Sequence, residues 1–109
     1  MTEQRKSQRF KLRLPLRILR VGGNTLSGGG ETVNVGSHGV LFSAERRLEI
    51  GESIEYTITF PSAPGSSEGT GLHCLGKVLR YEGSVPDPDR QAKLYLMVAT
   101  IERHEFVRE

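Results

Sequence analysis

The sequence predicts an all-β domain, a small barrel or sandwich of six short strands. Three observations carry that prediction. Apolar residues recur at every second position in several short stretches. The pattern is cleanest in "SIEYTITF", where Ile54, Tyr56, Ile58 and Phe60 alternate with Glu55, Thr57 and Thr59. Gly- and Pro-rich turns separate these stretches. No window of about 11 residues or more carries the apolar spacing of an amphipathic helix.

The elements follow in chain order. Residues 1–9, "MTEQRKSQR", hold no large apolar side chain after Met1, so they are expected to form a flexible basic arm. In "FKLRLPLRILRV", Leu12, Leu14, Leu16 and Ile18 alternate with Arg13, Pro15 and Arg17, the pattern of a half-buried strand. Pro15 lacks an N–H and points to an edge or a bulge. "GGNTLSGGG" (22–30) reads as a flexible loop. "ETVNV" and "VLFSA" read as strands joined by the tight turn "GSHG", and "RRLEIGE" loops into "SIEYTITF". A long turn-rich connection, "PSAPGSSEGTG", leads to the strand "LHCLGKVLRYE". After "GSVPDPDR" comes its partner, "AKLYLMVATIE". The final "RHEFVRE" has room for at most one or two helical turns. The expected layout is one domain: arm 1–9, β-structure 10–103, tail 104–109.

Length and composition narrow the function. A chain of 109 residues supports one modest core. No apolar run approaches the ~20 residues of a membrane span. The basic N-terminus leads into an alternating pattern, which is not the pattern of a signal peptide. The single cysteine, Cys74, excludes an internal disulfide framework and fits a reducing cytosol, so a cytoplasmic location is expected. Net charge is only +2 but unevenly placed. Residues 1–20 hold seven basic groups and one acid, and the remainder is mildly acidic. A basic arm on an acidic body suggests a localised anion site. A binder of long nucleic acid would more typically be basic over a whole face. It would also need exposed aromatics, and this chain has seven Phe and Tyr and no Trp, mostly within strand patterns.

Several motifs fail on their chemistry. "GLHCLGKV" (71–78) nearly spells a phosphate-binding loop, but its interior is strand-like, Val78 replaces the magnesium-binding hydroxyl, and no helix follows. His73 and Cys74 are neighbours on a strand and point to opposite faces, and no pair among His38, His73, His104 and Cys74 has zinc-site spacing. No metal or cofactor is expected. "GSH" (36–38) sets a hydroxyl beside an imidazole, but Val35 stands where a nucleophile elbow needs glycine, and no supporting acid is identifiable. The chain does not read as an enzyme.

Two stretches remain. In "RKSQR", Arg5 and Arg9 stand four apart. They are either solvated or a pair of planar donor forks suited to phosphate or the guanine edge. In "NVGSHGVLF" (34–42), Asn34 offers both a donor and an acceptor. Gly36 and Gly39 are expected to free the backbone for positive φ and close approach to a ligand, although a plain hairpin turn explains them too.

Together these pieces resemble the PilZ domain family, bacterial receptors for cyclic di-GMP. The family signature is R-x-x-x-R ahead of the first strand, then [DN]-x-S-x-x-G at a strand–turn–strand. "RKSQRFKLRLPLRI", "NVGSHGVLF", "LEIGESIEYTITFP" and "GKVLRYE" look like its blocks, in order, from about Arg5 to Glu102. The resemblance implies a six-stranded antiparallel barrel of the split-barrel type. It implies that Arg5 and Arg9 hold phosphate and guanine, that Asn34 recognises a guanine edge, and that the ligand approaches the backbone at Gly39. Gly36 departs from the pattern, because the family has serine there. Ser37 lies one residue on and could substitute only through a shift in the turn. His38, in the variable part, either stacks on a base or faces solvent. The implied function is a cyclic di-GMP receptor whose arm orders on binding and which signals to a downstream protein that the sequence does not name. The alternative is an interaction module of the same fold that has lost the nucleotide. A homodimer is compatible with the chain; a membrane partner is not expected.

Overall fold

The computed structural model describes residues 9–61, 69–87, 89 and 92–108. Arg5 and most of the expected arm, and the middle of the connection after Phe60, lie outside them. Among the described residues every regular element is a strand: β1 (Arg9–Phe10), β2 (Pro15–Val21), β3 (Asn24–Gly36), β4 (Gly39–Ala44), β5 (Ser53–Phe60), β6 (Thr70–Pro86), β7 (Lys93–Thr100) and β8 (Arg103–Arg108).

The sheet runs β3-β2-β5-β6-β7-β4, and β4 returns to pair with β3. Six antiparallel strands therefore close into a barrel, which removes the open edges that six strands would otherwise carry. Alternation decides what goes inside. Leu16, Ile18, Val40, Phe42, Ile54, Tyr56, Ile58, Cys74, Val78, Met97 and Ala99 are all buried. Each large apolar side chain so buried contributes roughly 1.5–3 kcal/mol. The Tyr56 ring stacks on Phe42, and its hydroxyl donates to the Thr100 carbonyl at 3.0 Å. Burial first of all pushes this phenol far above its ordinary range.

All six expected strands are present, with three differences at their margins. The first concerns "GGNTLSGGG". It is not a loop beyond its first two residues: Gly22 and Gly23 form the turn, with φ of 59° and 87°, and residues 24–25 and 28–30 pair with β2 on either side of a register shift. Two successive positive-φ residues match the twist of a two-residue hairpin. Gly30 then lies so close to β4 that a Cβ would fall 2.1 Å from the Ser43 carbonyl oxygen. The glycines that suggested flexibility serve a tight turn and a close strand approach.

The second difference is at the C-terminus. "RHEFVR" is not helical but forms β8, paired with residues 70–75 of β6. β7 and β8 lie in one line against β6, interrupted at Ile101 and Glu102. There the Ile101 N–H donates to the His38 carbonyl at 2.9 Å and the Glu102 N–H to the Leu75 carbonyl at 2.8 Å. The first half of β6 would otherwise expose its hydrogen-bonding groups, and pairing satisfies them better than a short terminal helix could. Gly76 allows the close approach of the chain after β7, since a Cβ there would sit 1.9 Å from the Thr100 oxygen.

The third difference is at the N-terminal strand, which is split. β1 and β2 both lie along β3, with Arg9 opposite Gly36 and Pro15 opposite Glu31. Between them Thr32, wholly buried, takes over the ladder. Its Oγ1 accepts from the Leu14 N–H at 2.8 Å and donates to the Leu12 carbonyl. Pro15 therefore opens an interior strand next to an irregularity and is not on an edge. Leu12 falls in the break and is 38% exposed, although the alternation suggests burial.

Candidate functional site

A pocket of about 280 Å³ opens on the outer wall of the barrel. Its floor is one row of residues crossing four strands. Asn34 on β3 stands opposite Leu41 on β4, Leu41 opposite Val98 on β7, and Val98 opposite Arg80 on β6. The row faces outward because its neighbours in sequence face in: Val40 and Phe42 flank Leu41, and Met97 and Ala99 flank Val98, all buried. At about 4.8 Å per strand, the floor spans roughly 14 Å. It is polar at one end, apolar in the middle and cationic at the other.

The β6 wall exists because that strand bulges twice. Its register against β7 shifts between Val78 and Arg80 and again between Tyr81 and Gly83. Leu79 and Glu82 are the unpaired residues, and both line the pocket with Arg80. Gly83, with φ of 132°, releases the second bulge. Arg80 Nε donates to the Glu82 carboxylate, and both side chains are partly exposed.

The turn between β3 and β4 supplies the rim. Asn34, Gly36, His38 and Gly39 all line the pocket. Gly36 ends β3 and Gly39 begins β4, and neither has the positive φ expected of it. Gly39 does serve close approach, but toward its own fold: a Cβ there would lie 3.0 Å from the Ala99 oxygen. Ser37 sits at the exposed tip of the turn, its Oγ 3.0 Å from His38 Nδ1, and does not line the pocket. His38 is exposed at the rim. Arg9 enters the ladder directly opposite Gly36, so the R-x-x-x-R stretch ends one strand spacing from the pocket's edge. Arg5 lies outside the described residues.

Leu41, Leu79, Arg80, Glu82 and Val98 were not singled out from the sequence. The sequence reads Gly83 as the start of the connection "GSVPDPDR", but β6 runs on to Pro86, so Gly83 is a strand glycine at a bulge. Of the other two histidines, His73 is tied to a neighbouring strand: its Nε2 lies 2.6 Å from Glu55 Oε2, while Arg20 Nε approaches Glu55 Oε1 at 3.7 Å. As expected, Cys74 beside it faces the opposite way, into the core.

The structure is thus a closed all-β barrel with a mixed polar and apolar pocket on its wall and a glycine-bearing turn at its rim. The PilZ domain model matches residues 3–96, and the chain belongs to the PilZ domain family. That family comprises cyclic di-GMP receptors, which are binding and adaptor modules rather than enzymes. Among curated proteins, none matches the chain at a significant level.

Proposed function

We propose that this protein is a cyclic di-GMP receptor that passes ligand occupancy to a protein partner. The observation carrying the proposal is the convergence of Asn34, Gly36, His38 and Gly39 on one pocket, with the end of R-x-x-x-R in register beside Gly36. The ligand is a dianion with two purine faces. Leu41, Leu79 and Val98 offer an apolar floor for a purine, Asn34 offers an amide to its edge, and Arg80 offers a fork to a phosphate or a base. In this reading Arg5 and Arg9 on the arm supply further phosphate and guanine contacts, and the arm orders as it closes.

Gly36 removes a hydroxyl that other members of the family present to the ligand, and Ser37 is turned toward His38 instead. One missing hydrogen bond lowers affinity by about 1–2 kcal/mol, or roughly ten- to thirtyfold. Titration calorimetry with cyclic di-GMP tests the proposal. Binding that Arg9→Ala removes is the expected outcome. Absence of heat at about 100 µM ligand, a ceiling near −5.5 kcal/mol, would leave an interaction module of this fold without a nucleotide.

A further inference from the structure

We propose that Glu82 is a built-in competitor for the anionic ligand, holding the Arg80 guanidinium until a ligand phosphate displaces it. This inference rests on the receptor function proposed above. Two consecutive bulges turn Leu79, Arg80 and Glu82 onto the pocket wall. A carboxylate lining a site for a dianion opposes binding unless something neutralises it. Among the described residues the neutralising group is Arg80, through Nε. Both partners are partly exposed, at 54% and 38%. A pair so open to water is weak and exchangeable, so it can be broken by a better anion. A phosphate accepts from both arms of a guanidinium fork and outcompetes a carboxylate that engages it at Nε. Glu82 then sets the concentration at which the receptor fills, and it discriminates against singly charged ligands that cannot displace it.

The test is a double-mutant cycle. Wild type, Glu82→Gln, Arg80→Ala and the double variant are titrated with cyclic di-GMP at low salt, and melting temperatures confirm that each is folded. Glu82→Gln is expected to bind about two- to fivefold tighter, the range that an exposed ion pair can supply. In the Arg80→Ala background there is no guanidinium to compete for, so the same change should give a different gain, set by repulsion alone; equal gains in the two backgrounds overturn the competition. Unchanged or weaker binding by Glu82→Gln overturns the proposal; weaker binding is what a carboxylate that reads guanine directly would give. If none of the four proteins binds the nucleotide, the receptor function fails, and inorganic diphosphate still decides the role of Glu82. The Arg80 Nε–H resonance should shift at lower diphosphate concentration in Glu82→Gln than in wild type. Equal response, or none in both, overturns the competitor role.

Discussion

Asn34 and Arg80 stand at opposite ends of one cross-strand row, separated only by Leu41 and Val98. The row sets an amide and a guanidinium about three strand spacings apart, with an apolar floor between them. Substitutions at its ends should therefore affect binding without touching the core.

Asn34→Ala is expected to weaken cyclic di-GMP binding by roughly tenfold or more, through loss of paired donor and acceptor contacts. The melting temperature should change little, because Asn34 lies on the outer face. Calorimetry alongside a thermal melt checks both halves of the statement.

Gly36→Ser is expected to strengthen binding by roughly ten- to thirtyfold, restoring one ligand hydrogen bond. Gly36 lacks the positive φ that would strain a serine. A Ser37→Ala variant should bind as wild type does, since Ser37 faces His38 and not the pocket.

Thr32→Val should destabilise the protein by about 1–3 kcal/mol in urea denaturation. It keeps the side-chain shape but orphans the Leu14 N–H and the Leu12 carbonyl. Thr32→Ser should recover most of the loss. A comparable loss with serine would show that packing of the methyl group matters more than the hydroxyl.

Gly76→Ala and Gly29→Ala make a paired test of close approach. At Gly76 a Cβ meets the Thr100 oxygen at 1.9 Å, while at Gly29 it meets nothing within 4 Å. The first should cost about 3 kcal/mol or more, or prevent folding, and the second should be tolerated within about 1 kcal/mol. Expression and thermal melts distinguish them.

Burial pushes the Cys74 thiol up from an ordinary 9.0 to about 11. Between these values the unfolded chain has lost its thiol proton and the folded chain has kept it. Stability therefore falls as pH rises from about 9 to 11, and the thiol contributes no slope at neutral pH. Denaturation midpoints across that range check the sign. At neutral pH, thiol reagents should label Cys74 only on unfolding.

The barrel was legible wherever alternation was clean. Ile54, Tyr56 and Ile58 announce both a strand and its buried face. What stayed hidden was long-range geometry. "GGNTLSGGG" has the composition of a loop, and only the nearness of β4 explains why Gly30 belongs in a strand. "RHEFVR" carries no strong preference and becomes a strand because β6 offers it an unpaired edge. The site divided in the same way. Asn34, Gly36, His38 and Gly39 lie together in sequence and could be found there. Arg80 and Glu82 reach the pocket through bulges, which depend on register against a partner strand.

The hydrogen bond from the Ile101 N–H to the His38 carbonyl joins the pocket's rim to the start of β8. That single backbone proton is a gauge placed by the fold itself. If ligand tightens the turn, exchange at Ile101 slows, although Ile101 does not line the pocket. The tail strand begins two residues further on, at Arg103, so the rim and the β8 edge share one short run of backbone.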